Sequence, residues 1–295
     1  MDPTLKTRTI SGIKKATPDL SPRLQVAAKY ILDNEADFGL DSIRETARKS
    51  GVSAYTLVRL SRQLGFSGFE DLREPFRHAL VSLNAPAAEV PWLEKWQGAD
   101  TGALATAASN SLAIVSRSLE RQSPARIREV AELMTSARDV YVTAMRASYG
   151  LAYNFQYVGR MALKSLQIVP RQMSSAIDEL TDAGPEDVLI AITFTPYSHE
   201  TIEAMIYAKS RGMRLVVVSD SEIVAPGLNA DHTLLVSTNS THHFACNAGA
   251  MAVLELLLAM LVEIGGSEAA ERIETYEQLR NGYRAYWSAK KNNSF

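Results

Sequence analysis

Five cations, Arg44, Arg48, Lys49, Arg59 and Arg62, fall in a stretch whose single acid is Glu45. Ser53, Ala54, Tyr55 and Thr56 lie between them. Arginine forks onto guanine or a phosphate, and hydroxyl groups serve either. The grouping suits nucleic acid, and equally a solvated basic face. A second set is rich in hydroxyls: Thr143–Ser148, Thr193–Ser198 and Ser219–Ser221. Where such segments open helices, hydroxyls and free backbone N–H groups can cradle an anion, or the hydroxyls simply cap the helix. A third set is His242, His243 and Cys246, with His199 or His232 as a distant fourth ligand. On a helix they would converge on a soft metal. Without a CxxC or HExxH spacing no metal is expected, and His243 is expected to line a ligand pocket. His199, Glu200, Glu203 and Glu255 could move a proton beside a carbonyl. Glu200 and Glu203 fit better as acids in the first turns of a helix. No catalytic residue and no cofactor are expected.

The elements that position these groups follow from apolar spacing. Ser21 and Pro22 open a helix carrying Leu24, Ala27, Ala28, Ile31 and Leu32, up to about Asn34. A short helix begins near Asp41, carries Ile43 and Ala47, and stops before Gly51. A third is capped by Ser53, runs through Leu57, Val58, Leu60 and Leu64, and ends at Gly65. A fourth follows Gly68, with Phe69, Leu72, Phe76 and Leu80 inward. Gly51 can take the positive φ of a tight interhelix turn, so residues 43–64 have the spacing of a helix-turn-helix. In such a motif the start and exposed face of the third helix enter the major groove. The alternative is a helical hairpin used for protein contact.

Asn84, Pro86, Pro91, Gly98 and Gly102 punctuate a connector in which Trp92 and Trp96 lie four apart, as on a helical turn. Helices over about Thr106–Glu120 and Pro124–Met134 precede a change of pattern. Apolar runs at 140–143, 165–169, 188–193, 215–219 and 233–236 alternate with helical segments at 148–161, 174–181 and 198–211. Continuous apolar strands between helices predict a five-stranded parallel sheet covered on both faces. A helix over Asn247–Ile264 closes the unit, and a Tyr-rich polar helix, Glu268–Ser288, ends the chain. The predicted organisation is an all-α domain over 1–84, a linker over 85–105 and an α/β domain over 106–295.

Composition agrees. The 295 residues are 46% hydrophobic and 22% charged, which excludes collagen-like, disordered and disulfide-rich classes. One cysteine fits a reducing cytoplasm. The N-terminus carries Lys6, Arg8, Lys14 and Lys15 with no apolar run behind them, so no secretory signal is expected. The run Ala248–Ile264 reads as too short for a membrane span and is interrupted by Glu255 and Glu263. The net charge of −2 divides unevenly: residues 1–84 hold 13 Lys and Arg against 10 Asp and Glu, leaving a net of −5 for the rest.

The segment Gly51-Val52-Ser53-Ala54-Tyr55-Thr56-Leu57-Val58-Arg59-Leu60-Ser61-Arg62-Gln63-Leu64-Gly65-Phe66-Ser67-Gly68-Phe69 resembles the N-terminal domain of the RpiR/MurR family of bacterial transcriptional regulators. Its pattern is a Val-Ser start, an internal Arg, then Leu-Gly-Phe-x-Gly-Phe. The resemblance implies a recognition helix over Ser53–Leu64, followed by a sugar isomerase (SIS) domain that senses a ligand, commonly a phosphorylated sugar, and forms dimers. Within that domain the usual Gly-x-Gly-x-Ser loop reads Ala144-Met145-Arg146-Ala147-Ser148, keeping Ser148 and losing both glycines. Arg146 there either pairs with an acidic ligand or fills the space of a sugar. The usual Ser-x-Ser-Gly-x-Thr loop reads Thr193-Phe194-Thr195-Pro196-Tyr197-Ser198, and Ser219-Asp220-Ser221 matches Thr-Asp-Ser. The implied ligand set is Arg146, Ser148, Thr193, Thr195, Tyr197, Ser198, Ser219, Ser221 and His243. The implied partners are a double-stranded DNA operator, a small acidic effector and further copies of the chain, with no membrane. Phosphate contacts are expected from Arg44, Arg48 and Lys49.

Overall fold

Helices fill the first part of the chain: α1 (Leu5–Ala16), α2 (Pro22–Asp33), α3 (Glu35–Leu40), α4 (Ile43–Ser50), α5 (Ala54–Gln63) and α6 (Phe69–Ser82). The computed structural model describes residues 5–82, 93, 101–225 and 227–287. Trp92, Trp96 and most of the expected linker therefore lie outside the described residues, as does the side chain of Leu80. The four expected helices are present, and α1 and α3 are additions. Both matter to the core. Ile13 of α1 is buried, and Phe38 of α3 meets Phe69 and Phe76 edge-on at 5.4 and 5.0 Å. Edge-to-face rings at that distance attract beyond the area they bury. The second expected helix, α4, is capped by Ser42, which accepts the Glu45 amide.

Two units divide the chain, Met1–Asn110 with Asp220–Asn229, and Ser111–Ser219 with Ala230–Phe295. The division falls within α7 (Gly102–Glu120), which starts inside the expected linker, and α8 (Pro124–Ser136) follows in the second unit. The strands β1 (Val140–Thr143), β2 (Leu166–Val169), β3 (Val188–Ile192), β4 (Arg214–Ser219) and β5 (His232–Leu235) form one sheet in the order β2-β1-β3-β4-β5. All pairings are parallel, with Val140 opposite Leu166 on one side and Val188 on the other. Every residue of β1 and β3 is buried, the reason their sequences are continuous apolar runs rather than alternating ones. The helices α9 (Tyr149–Gly159), α10 (Ala176–Glu179) and α11 (His199–Ser210) connect them.

The last helix, α12, runs Ala248–Gly282 with a break at Gly266, whose φ of 50° and ψ of −129° are non-helical. That break lies between the two helices expected from the sequence, although the second half stops at Gly282 rather than Ser288. The expectation that the run from Ala248 is too short to span a membrane is corrected: α12 is long and apolar enough by length and composition. Its apolar face is nevertheless the core, since Val253, Leu254, Leu257 and Leu261 are buried in the cluster that covers the sheet. Gly249 permits a close approach to α7, where an added Cβ would collide with the Ser118 hydroxyl and come within 3.1 Å of Ile114.

Candidate functional site

In the N-terminal unit, α4 ends at Gly51 with φ 68° and ψ 18°, the left-handed conformation that lets the chain reverse over two residues into α5. Ser53 caps α5 by accepting the Thr56 amide at 3.2 Å, and its hydroxyl lies 2.9 Å from that of Thr56. Leu57 and Leu60 bury one face of α5 and Val58 packs against the same core. Tyr55, Arg59 and Arg62 stand exposed, with Ala54 and Thr56 half-buried beside them.

The expected cations divide. Lys49 is held by Asp37 and Asp41 at 2.8 and 2.9 Å, which raises its pKa. Arg48 is engaged by Glu45 through Nε at 3.1 Å. Arg44, Arg59 and Arg62 have no carboxylate partner among the described residues. They present the unneutralised charge of this surface, and a phosphate would have to compete for Arg48 and Lys49.

In the C-terminal unit the strand order reverses between β1 and β3, the place where a parallel sheet leaves a crevice at its carboxyl edge. The loops after these two strands carry Arg146–Ser148 and Thr193–Ser198. Arg146 adopts φ 55°, a left-handed conformation that costs an L-residue about 1–2 kcal/mol. It occupies the second glycine position of the loop pattern, so the backbone keeps the glycine conformation while the side chain adds a cation. Its guanidinium reaches Glu200, in the first turn of α11, at 3.5 Å. Ser198 caps α11, accepting the Thr201 amide at 3.5 Å, and donates its hydroxyl to Glu200 at 2.5 Å. The Ser198 bond, with Arg146 adding, holds the Glu200 carboxyl below its ordinary pKa. The crevice is thus bordered by an exposed guanidinium, a carboxylate and the half-buried hydroxyl of Ser148, which has no partner among the described residues.

Other expected ligand residues are placed variously. Thr193 and Ser219 are buried at strand ends, Thr195 is exposed and Tyr197 half-buried. Ser221 is buried. It belongs to the N-terminal unit, where its hydroxyl meets Lys29 Nζ at 2.9 Å and accepts the Ile223 amide at 3.1 Å. His243 is exposed, with Phe244 edge-on at 5.4 Å. The helical spacing supposed for His242, His243 and Cys246 is corrected, because these residues precede α12 in an irregular loop. Among the described residues no group of His, Cys, Asp and Glu is arranged to hold a metal ion. One group, the Thr201 hydroxyl, went unremarked in the sequence. Thr143, closing β1, and Thr201, in the first turn of α11, are fully buried with hydroxyls lacking a partner.

Comparison with known proteins adds to this geometry. Residues 10–81 match "Helix-turn-helix domain, rpiR family" and residues 133–263 match "SIS domain". Over 245 residues the chain is 26% identical to "Uncharacterized HTH-type transcriptional regulator YfhH" of Escherichia coli (strain K12), covering 81% of this chain and 86% of that protein. It is 22% identical to the HTH-type transcriptional regulator CPE0189 of Clostridium perfringens, covering 86% and 92% respectively. Among solved structures, the Vibrio vulnificus NanR protein complexed with ManNAc-6P has a TM-score of 0.56 at 17% identity, over 93% of this chain and 98% of that one. The sugar isomerase domain of an RpiR transcription factor from Sphaerobacter thermophilus has a TM-score of 0.55 at 22% identity, over 58% and 96%. Both likenesses concern the fold.

Proposed function

The chain belongs to the rpiR family of helix-turn-helix regulators that carry a SIS domain, and we propose that it controls a metabolic operon in response to a small acidic metabolite. The observation that carries this reading is Arg146. A left-handed backbone is kept at energetic cost by a residue whose guanidinium then borders the crevice between β1 and β3. Arginine presents a planar fork that matches carboxylate or phosphate. The effector's acidic group displaces Glu200 from Arg146 and takes the Ser148 hydroxyl and the first turns of the following helices. The ManNAc-6P bound by NanR supports a phosphorylated sugar as the class to test first.

The protein works in the cytoplasm as a dimer or tetramer. Two copies of α5 then enter major grooves about one helical turn apart. Arg59 and Arg62, with Ser53, Tyr55 and Thr56, face the bases, and Arg44 holds the phosphate backbone. The effector shifts operator affinity only as far as its own affinity differs between the two arrangements of the DNA-reading domains. In this reading the protein is not an enzyme: Glu200, the acid at the crevice, is committed to Ser198 and Arg146.

A footprint on the gene's upstream region, with and without a sugar-phosphate panel containing ManNAc-6P, tests both halves. Paired protection spaced by about 10 base pairs or a multiple is expected, altered by one compound of the panel. Absence of protection at low salt, or turnover of a panel compound, would overturn the reading.

A further inference from the structure

A second cationic site lies away from the β1/β3 crevice. Gly159, the last residue of α9, is pressed against the core so closely that a Cβ would come within 2.7 Å of Leu166 and 3.1 Å of Leu258. This anchors the end of α9, and Tyr157 and Arg160 flank the anchor. After the break at Gly266, the second half of α12 brings Tyr276 and Arg280 to the same place. The result is an alternating array of rings and guanidiniums. Arg160 lies over Tyr157 at 5.4 Å and over Tyr276 at 5.9 Å, and Arg280 lies over Tyr276 at 5.9 Å and Tyr286 at 5.7 Å. The backbone is tied as well, because Arg272 donates to the Arg160 carbonyl at 3.1 Å. Tyr157, Arg160, Tyr276, Arg280 and Tyr283 are among the residues that border a cleft of about 290 Å³.

Neither guanidinium has a carboxylate within ion-pair distance among the described residues. The Arg160 Nε is buried without a hydrogen-bond partner. Stacking on a ring uses the face of a guanidinium and leaves its in-plane N–H donors for other partners; one Arg280 donor, on Nη2, meets the weak acceptor Met161 Sδ at 2.9 Å, and the others remain. Two such forks are held by one ring, Tyr276, so they stay within about 12 Å of each other, a separation over which like charges repel. If the array served only to clamp α12 to α9, a carboxylate at either arginine would strengthen it, yet Glu271, Glu274 and Glu277 of the same helix are all exposed and Glu274 accepts from Gln278 instead.

We propose that this cleft binds the oxyanion of a small molecule, a phosphate group held by Arg160 and Arg280 with the tyrosine rings as walls. A volume near the lower end of ligand pockets admits free phosphate or a short phosphate monoester.

The test is NMR of the arginine Nε–Hε signals in the full chain, titrated with inorganic phosphate against chloride at matched ionic strength. Glycerol 3-phosphate forms a second arm and distinguishes a phosphate monoester from the free ion. The Arg160 and Arg280 signals are expected to shift and saturate with phosphate but not with chloride. In Arg160→Gln the saturable response of the remaining Arg280 signal is lost, and in Arg280→Gln that of the Arg160 signal, whereas Arg146→Gly retains both, which separates this cleft from the β1/β3 crevice. Arg280→Lys keeps charge and stem but loses the fork, and binding should weaken about tenfold. Linear shifts, equal responses to chloride, or undiminished binding in the lysine variant would overturn the proposal.

Discussion

In an Arg146→Gly variant, two consequences of one residue come apart. The backbone at 146 sits at φ 55°, which costs a residue with a Cβ about 1–2 kcal/mol and costs glycine almost nothing. Glycine gives back about 0.4–1 kcal/mol through its more flexible unfolded chain. The ion pair to Glu200 spans 3.5 Å with side chains 77% and 47% exposed, and a pair so open to water adds little to stability. The variant should therefore be as stable as the parent, to within about 1 kcal/mol. Arg146→Ala loses the same ion pair but keeps a Cβ at the strained position, so it should lie below Arg146→Gly by about 1 kcal/mol. Both variants lose the guanidinium, and effector affinity should fall about tenfold to a hundredfold in each. Urea unfolding gives the stability order, and calorimetric titration with the panel compound that alters operator protection gives the affinities. Unchanged affinity in Arg146→Gly would refute the assignment of Arg146 to the effector's acidic group. A glycine variant less stable than the alanine one would refute the strain argument.

Three further outcomes are expected. Arg59→Ala should weaken operator binding by about 1–3 kcal/mol if the side chain forks onto a base, and equal affinity in a salt-matched binding assay would remove that role. Gly249→Ala drives a methyl into Ser118 and Ile114 and should destabilise the C-terminal unit by about 1–3 kcal/mol, with partial recovery in Ser118→Gly/Gly249→Ala, both read by urea unfolding. Asp231 is pushed up by burial, but the Leu215 amide, Lys209 and Arg214 outweigh this and hold its pKa below the ordinary 3.8. A carboxyl lowered on folding stabilises above its unfolded pKa and loses that contribution as pH falls through the folded value. Asp231→Asn should accordingly show a shallower loss of Tm below about pH 4 than the parent, and parallel acid limbs would show that Asp231 does not contribute.

Much of this protein is legible along the chain because periodicity is a local property. The apolar positions of α5 recur at helical spacing, Gly51 marks the reversal before it, and the strand runs are continuously apolar because both faces of the sheet are covered. Breaks in those patterns were harder to place. α1 and α3 lack a strong apolar stripe, and their contribution to the core comes through single residues, Ile13 and Phe38, whose worth depends on the partners they meet. The hydroxyl-rich loops could be found in the sequence, but not what they do, since a capping serine and a ligand-binding serine look alike until their partners are known.

The sequence by itself determined the two kinds of domain, the five strands, the turn at Gly51 and the candidate residues at each strand end. Tertiary structure decided which of those residues share a site. Arg146 and Glu200 are 54 positions apart and meet because β1 and β3 are neighbours, an adjacency that no local pattern encodes. Ser219 and Ser221 are two residues apart and belong to different units, Ser221 being drawn to Lys29. The same holds for Arg160 and Arg280, which meet at one tyrosine beyond the helix break at Gly266. Spacing along the chain selects local conformation through steric and hydrogen-bonding preferences, whereas charge pairs and clefts depend on distances that only the packed sheet and helices set.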